Sequence, residues 1–441
     1  LLRNNRAKEI QTQFGATNFS YNPTKTLSIS GFIILSSTKT DLETTNKTSY
    51  LEQDTKIIPS LENTSEKTAQ KSNLALYKLS GTYKPNSKLQ LDYDVLGKQS
   101  KQNENTNTVQ ETFFQNPMLN NNQFIGVGKK QNPFSLNQNF NAYYTQSDKN
   151  VFALEVQHLY QDENPFYNAN LEKKPFPNKP LPADPAENLE FHDQSRYNLN
   201  QNRFVKTNKI DSKIDYYYML TPKSNINVTL GNTYSNQAFN SAIFQILDNA
   251  TVDNLKSNSK NDVKYNFNDV FLGLHYKFLI GKFTFNPGFS VHKFDTYNEQ
   301  LGVKTNDNFY RILPDVYALY QIKKAETLTY NYAITTDFTD INKFAEGYVL
   351  TNYNARFRGN RFLENATSHT HSLRYFKYNM FNFENIFANI SYSKKINPVK
   401  NSTTFSGINQ TSEAINSNIA DESISGAGNY GRSYLRNYKS S

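Results

Sequence analysis

The 441-residue chain has no cysteine and no tryptophan, and its apolar residues never form a long run. The lack of cysteine excludes a disulfide-stapled scaffold, a thiolate nucleophile and a cysteine-ligated metal. Phe32-Ile33-Ile34-Leu35 is among the longest apolar runs, whereas a membrane helix needs about 20 apolar residues. The sequence therefore excludes a helical membrane protein. Membrane-spanning strands have alternating apolar and polar residues and contain no long apolar run, so this criterion does not exclude them.

Aromatic residues are abundant, with 30 tyrosines and 32 phenylalanines. So many aromatic side chains argue against disorder, although the chain is polar on average. The net charge is +9, with lysine and arginine spread among the acidic residues. This distribution is typical of a solvated surface and does not indicate a nucleic-acid partner. No change in composition divides the chain, so we expect one domain over residues 1–441.

Apolar and polar residues alternate in many segments. In residues 89–95, leucine, tyrosine and valine occupy every second position and polar residues lie between them. The same alternation recurs in residues 152–160, 226–234, 270–291 and 328–334. A period of two gives a strand one apolar face and one polar face. We expect about 14–16 strands, each of roughly 9–14 residues, which suffices to cross a membrane.

The connections between these segments are alternately short and long. Short turns rich in Pro, Asn, Asp or Gly occur at residues 22–25, 84–87, 147–150, 221–224, 280–281 and 323–326, and near Asn379. Long polar connections are expected at residues 41–72, 98–135, 162–202, 237–266, 337–368 and 395–431. Outer-membrane barrels combine short periplasmic turns with long extracellular loops. The sequence therefore predicts an all-β fold, a transmembrane antiparallel up-and-down β-barrel of the bacterial cell outer membrane, with tyrosines near strand ends forming aromatic girdles.

Two segments resemble TonB-dependent receptor-like outer-membrane proteins. In Tyr348–Leu363, the pair Gly359-Asn360 is followed by two residues and then Leu363, ahead of a strand that carries His371. This arrangement resembles the late-barrel region of that family. The segment Phe14–Pro23 resembles one of its descending strands with the periplasmic turn that follows. The resemblance is diffuse but extends over most of the chain.

The resemblance implies a plug domain inside a barrel of about 22 strands, which imports a ligand with energy from an inner-membrane partner. No plug-like segment precedes the first strand, and the last residue, Ser441, is not the aromatic residue usual at the end of such barrels. We therefore expect a partial barrel domain, truncated at both ends and lacking the plug, with residues 430–441 beginning a further strand.

The expected function is that of an outer-membrane transport or receptor barrel, with TonB-dependent uptake of a large nutrient such as an iron chelate, a glycan or a peptide. The alternatives are a passive porin-like channel and a surface-exposed β-rich binding or adhesion protein. Expected partners are outer-membrane lipid, a TonB-type energy-coupling protein that would contact segments absent from this chain, and a surface lipoprotein. We expect no enzymatic activity, no catalytic residue, no cofactor and no nucleic-acid partner.

Two motifs suggest other chemistry. Residues Gly426–Gly431 satisfy the dinucleotide-binding pattern, but that site requires a buried strand before it and a helix after it, so we interpret the glycines as part of a flexible loop. His369 and His371 would lie on one face of a strand, where two imidazoles can bind a metal. No third ligand is obvious, although Glu364 is near in sequence. A rim or lumen pair without metal is the favoured interpretation.

The candidate ligand-binding residues are aromatic residues in the long connections. Exposed rings in loops can stack on a sugar or a chelate, or they can fold the loop on itself. The proline-rich segment Pro165–Pro185 favours an extended conformation, either as a ligand-contacting loop or as a stiff surface loop. The candidate residues are Phe113, Phe114, Phe124, Phe134 and Phe176.

Overall fold

A computed structural model describes residues 7–49, 60–114, 117–176, 189, 191–255, 257–381, 383–406, 409–435 and 438–440. These residues form strands joined by turns, and among them three short 3-10 helices lie at Pro117–Leu119, Ser257–Ser259 and Ile341–Lys343. No helix among the described residues has the length and apolar character needed to span a membrane. In chain order the strands are β1 (Ala7–Thr24), β2 (Leu27–Ser49), β3 (Leu61–Asn86), β4 (Leu89–Phe113), β5 (Asn121–Gln131), β6 (Phe134–Ser147), β7 (Asn150–Glu163), β8 (Phe166–Leu171), β9 (Tyr197–Thr221), β10 (Ser224–Ile246), β11 (Val252–Asn254), β12 (Lys260–Ile280), β13 (Phe283–Gln300), β14 (Val303–Lys323), β15 (Glu326–Asp337), β16 (Val349–Asn352), β17 (Ala355–Arg358), β18 (Ala366–Asn379), β19 (Glu384–Ile396), β20 (Val399–Ser406), β21 (Asn409–Asn416), β22 (Asp421–Leu435) and β23 (Tyr438–Ser440).

Nineteen of these strands form one sheet. Four of the nineteen, β5, β8, β11 and β23, are short partners at its margins, and the other fifteen form an antiparallel meander in which neighbours in space are neighbours in sequence. The expected short turns are found at one end of the meander. The all-β, up-and-down architecture and the expected number of long strands are therefore confirmed.

The two faces of the sheet differ as the alternation predicts. On β14, every second residue from Tyr310 to Tyr320 points outward, and the side chains between the two tyrosines are those of Ile312, Pro314, Val316 and Ala318. Ten residues at about 3.3 Å each, tilted by about 40°, span roughly 25 Å, the height of the apolar band on membrane barrels. Tyr310 and Ile312 are each 68% exposed. The outer face is thus apolar, and tyrosines mark its two margins.

The strands are longer than expected and the connections are correspondingly shorter. Residues 41–72, expected to be a loop, are largely strand, because β2 and β3 stay paired from Leu27 with Tyr83 as far as Ser49 with Leu61. Beyond the apolar band both faces of a strand are solvated, so the alternation that marked the strands is lost there. One connection at the long-loop end is only a two-residue turn, in which Leu301 and Gly302 have φ values of 51° and 81°.

The connections after β15 and β19 meet in a separate four-stranded sheet with the order β16-β17-β21-β20, in which β17 runs parallel to β21. We call these four strands the cap sheet. We call the fifteen-strand meander the wall. Two apolar clusters lie where the cap sheet and its flanking loops meet the inner face of the wall. The buried core of the molecule is therefore at the long-connection end.

Candidate functional site

Four buried carboxamides on the wall hold the loops against its inner face. Gln201 of β9 donates its Nε2 to the Leu350 carbonyl at 3.0 Å, and its Oε1 accepts from the Leu350 N–H at 2.7 Å. Asn261 of β12 makes the same double contact with Gly347, at 3.0 and 2.7 Å. A carboxamide matches a peptide group because each presents one donor and one acceptor. Each pair satisfies both buried polar groups of a loop residue.

The other two amides also each bind one backbone carbonyl and one backbone N–H of a loop. Gln300 of β13 donates to the Phe344 carbonyl at 2.9 Å and accepts from the Glu346 N–H at 3.3 Å. Gln245 of β10 pairs with the N–H and carbonyl of His192 at 3.0 and 2.9 Å. We call these four residues, Gln201, Gln245, Asn261 and Gln300, the amide row. All four are at most 5% exposed.

The connection between β15 and β18, which the amide row contacts at residues 344–350, is also held by apolar packing and by close contact between backbone segments. Tyr348 is 1% exposed, and the Arg356 guanidinium lies 4.1 Å from the centre of its ring. Gly359 donates its N–H to the Ala345 carbonyl at 2.6 Å, and a Cβ at Gly359 would lie 2.3 Å from the Lys343 carbonyl oxygen. Only glycine fits this contact. Leu363 is buried in the cluster beneath, so the residues that carried the sequence resemblance build the contact between loop and wall.

A cavity of about 560 Å³ opens between this loop and the ends of β13 and β14. Arg311 and Arg361 line it, together with Asp307, Asn298 and the ring of Phe309. Arg361 is paired with Glu346. The Arg311 guanidinium lies 5.3 Å from the centre of the Phe309 ring, and its buried Nε has no hydrogen-bond partner among the described residues. Arginines, amides and an aromatic ring make the cavity suited to a polar ligand with acceptor groups.

The inner wall towards the short turns carries two His–Asp pairs. His275 Nε2 lies 2.9 and 3.1 Å from the two carboxylate oxygens of Asp315. His292 Nδ1 lies 2.9 and 3.0 Å from those of Asp269, and its Nε2 lies 2.8 Å from Ser290 Oγ. The strand register places all five side chains on the polar phase. The inner face therefore holds ordered polar groups along its height.

Charges outside the membrane strands are set by local contacts. The backbone N–H of Phe124 donates to the Glu172 carboxylate at 2.8 Å, and this hydrogen bond, followed by that from Arg196, lowers the pKa of Glu172. Lys174 donates to Asp193 at 2.8 Å and lowers the pKa of that carboxyl. Burial raises the pKa of the Tyr167 phenol. The two carboxylates tie loop segments that are distant in sequence.

The five phenylalanines proposed as ligand contacts lie on different elements. Phe113 ends β4, Phe114 follows it, and Phe124 lies on β5, where it is 43% exposed. Phe134 begins β6, with its ring 6.2 Å from that of Tyr160. Phe176 is 6% exposed and lies under Arg356, so it serves the core. A ligand role for these residues stays a prediction, and residues 177–185 of the proline-rich segment lie outside the described residues.

The glycine motif belongs to a strand, not to a loop. Gly426–Gly431 lies within β22 and pairs residue by residue with β19. The interpretation as a flexible loop was wrong, because polar residues on both sides masked the strand. The motif is followed by more strand, so it lacks the helix N-terminus that would bind a pyrophosphate.

The two neighbouring histidines lie on the outer phase. His371 Nδ1 is 2.9 Å from the Tyr330 hydroxyl, and His369 Nδ1 is 3.2 Å from the Tyr332 hydroxyl. Within the described residues no group of three or more potential metal ligands occurs. The pair lies among the tyrosines of the outer face, so of the two expected positions, rim or lumen, the lumen is wrong.

Sequence reasoning missed the amide row and the Ser290–His292–Asp269 group. Ser290 and His292 are two residues apart on one strand, which is a usable signal, but Asp269 comes from the neighbouring strand. Gln201, Gln245 and Asn261 lie in segments that were expected to be long connections, so the common face of the amide row was not visible in the sequence.

The fold defines the class of protein: a membrane-type β-barrel wall, with an apolar outer band, a polar inner face and loops gathered at one end. No protein-family model matches the sequence, and no curated protein matches it. Among solved structures, copper transporter OprC matches with a TM-score of 0.52 at 9% identity, over 98% of this chain and 60% of OprC. The unliganded ferric citrate transporter FecA matches with a TM-score of 0.47 at 11% identity, over 96% of this chain and 55% of FecA. The outer membrane transporter YddB from Escherichia coli matches with a TM-score of 0.47 at 10% identity, over 96% of this chain and 52% of YddB.

The likeness to OprC is in the fold alone, at an identity far below that of close relatives. It confirms the antiparallel β-barrel fold that the sequence predicts. The chain spans between 52% and 60% of the lengths of the three transporters named.

Proposed function

We propose that this chain is the wall and outer-loop part of an outer-membrane transporter that takes up a large nutrient by a TonB-dependent mechanism. The observation that carries the proposal is the ordered cap. Loops packed on the inner wall, with an arginine-lined cavity between them, provide a place to bind a ligand before passage. A nutrient such as an iron chelate, a glycan or a peptide fits the polar lining.

We further propose that additional strands and a plug complete the transporter. In the part of the chain that the structure describes, β1 pairs only with β2, and β22 pairs only with β19 and β23. A backbone N–H or carbonyl left unpaired in lipid costs about 4 kcal/mol, so an open strand edge inside the membrane is unfavourable. The partners that this proposal requires are outer-membrane lipid, an energy-coupling protein and, at the surface, a lipoprotein.

Uptake by bacterial cells tests the proposal. A strain that lacks the parent gene is compared with the complemented strain for accumulation of labelled iron chelate, oligosaccharide and peptide, with and without a protonophore. We expect one of these ligands to accumulate only in the complemented strain and only in energised cells. Accumulation that persists with the protonophore would instead indicate the porin-like channel.

A surface binding or adhesion protein is the alternative from another class. It would retain ligand on cells without internalising it, so washing with excess unlabelled ligand would remove the label from both energised and de-energised cells. Label that resists this wash in energised cells alone supports uptake.

A further inference from the structure

Three side chains on the inner wall form a hydrogen-bonded chain of a hydroxyl, an imidazole and a carboxylate, the arrangement of a nucleophile, a base and an acid. Ser290 Oγ lies 2.8 Å from His292 Nε2, and His292 Nδ1 lies 2.9 Å from the nearer oxygen of Asp269. Ser290 and His292 are alternate residues of β13, so both project to the inner face. Asp269 projects from β12 on the same face.

Neighbouring rings fix the imidazole of His292. The ring of Phe271 is stacked 4.8 Å away, and that of Phe294 is stacked 5.3 Å away. The side chains of His292 and Asp269 are each only 12% exposed. With Asp269 accepting a hydrogen bond from Nδ1–H, the neutral ring presents a lone pair on Nε2 to the serine hydroxyl. The imidazole therefore has the tautomer and orientation of a general base.

A positive group lies beside this trio. Arg311 is the direct cross-strand partner of His292 on β14, and its Nε has no hydrogen-bond partner among the described residues. Arg311 also lines the cavity under the loop. Because its guanidinium lies over Phe309, Arg311 can hold an anionic part of a ligand at the edge of the trio that is nearest the cavity. The cavity gives a ligand a route to the same side chain.

We propose that Ser290 is a nucleophile that cleaves an ester or a related acyl group of a ligand held at the inner wall. Ser290 Oγ attacks the acyl carbon while its proton passes to His292 Nε2, giving a tetrahedral oxyanion. Collapse breaks the bond to the leaving alcohol, which takes the proton from His292, and leaves an acyl-serine. A water then attacks the acyl carbon while His292 Nε2 takes its proton, and the bond to Ser290 Oγ breaks as Oγ takes that proton back, which releases the acid. This activity goes beyond the proposed transport and does not depend on it.

The second His–Asp pair of the inner wall can be compared with the Ser290–His292–Asp269 group. His275 also pairs with an aspartate, Asp315, but its Nδ1 has no partner among the described residues, and no serine completes the group. A purely structural His–Asp contact needs nothing more than that pair. The hydroxyl on the free nitrogen of His292 is the feature that a structural role does not require.

Labelling with a fluorophosphonate probe tests the nucleophile in the full chain, purified in detergent. We expect a covalent adduct on Ser290, located by peptide mass spectrometry, and no adduct in Ser290→Ala. Ser368→Ala is the matched control, since Ser368 Oγ donates to the Asp337 carboxylate without a histidine, and it should label like the wild type. Each variant should migrate like the wild type both in the unboiled and in the boiled sample, which shows that its fold is retained.

Two further variants separate catalysis from structure. His292→Gln should lower the labelling rate and the hydrolysis of a p-nitrophenyl ester by about 10²–10⁴-fold, the usual contribution of a general base. Asp269→Asn should lower kcat and leave KM unchanged, because Asp269 positions His292 and does not touch the ligand. The proposal is overturned if a folded wild type gives no Ser290 adduct, or if His292→Gln labels at the wild-type rate.

Discussion

At the scale of single residues, Tyr167 carries a polar group in an unfavourable place. It is 8% exposed on β8, and its hydroxyl has no hydrogen-bond partner among the described residues. A buried hydroxyl without a partner costs about 1–3 kcal/mol. Tyr167→Phe should therefore stabilise the protein by roughly 1 kcal/mol, measured as a higher urea midpoint followed by gel mobility. A lower midpoint in Tyr167→Phe would show instead that the hydroxyl makes a stabilising hydrogen bond.

The same tyrosine gives a pH dependence. Burial raises its pKa in the folded state, while an unfolded tyrosine ionises near about pH 10. The stability that the neutral phenol contributes is complete below about pH 10 and is lost as the pH rises towards the folded-state pKa. Between about pH 9 and about pH 11, the urea midpoint should fall more in the wild type than in Tyr167→Phe. Equal falls would contradict the burial of this group.

The amide row makes a second prediction at this scale. Gln201→Leu keeps a side chain of similar size but leaves the buried N–H and carbonyl of Leu350 without partners. Each unpaired group costs about 1–3 kcal/mol, so residues 344–350 should exchange amide hydrogens much faster, as measured by mass spectrometry. Gln157→Leu makes the same chemical change at an exposed inner-wall position and should leave that exchange unchanged. Slow exchange in Gln201→Leu would show that apolar packing alone holds the loop.

At the scale of strands, the alternation within the apolar band was predictable and its continuation was not. Residues 226–234 show one apolar and one polar face because one side contacts lipid and the other a polar lumen. The same strand continues to Ile246, where Phe239 and Ile243, each 0% exposed, lie on the inner phase. The apolar side therefore changes from the outer to the inner face along β10. A pattern search that assumes one apolar phase along a whole strand fails where the phase changes. The core and the amide row lie beyond that point and were therefore not predicted.

The two phases of a strand can be compared directly. Ile214 on β9 faces outward and is 49% exposed. Ile214→Arg should destabilise the protein by about 2–4 kcal/mol, the cost of arginine near the middle of the bilayer. Gln157→Arg introduces the same charge on the inner phase of the adjacent strand, opposite Asp211, and should cost little. Urea midpoints in phospholipid vesicles measure both, and equal costs would show that the outer phase does not contact lipid.

At the scale of the whole molecule, the length of the strands sets how far the wall extends beyond the membrane. The 26 residues of β3, at about 3.3 Å each and tilted by about 40°, rise roughly 65 Å along the barrel axis. The apolar band takes up about 25 Å of this height. The short turns lie close to the band, so most of the excess extends on the side of the long connections. The cavity begins at Arg311, beside the Tyr310 margin of the band, and it therefore opens on the side of the long connections.

The orientation that this implies can be tested by labelling, because the chain has no cysteine of its own. Thr45→Cys places a thiol near the far end of β2, and Lys25→Cys places one in the short turn after β1. Barrels of this kind turn their long connections to the cell exterior. A PEG-maleimide too large to cross the outer membrane should therefore label Thr45→Cys in intact cells. It should label Lys25→Cys only after the outer membrane is permeabilised. The reverse pattern would invert the orientation, and labelling of both in intact cells would place the chain outside the membrane altogether, leaving the adhesion protein as the better account.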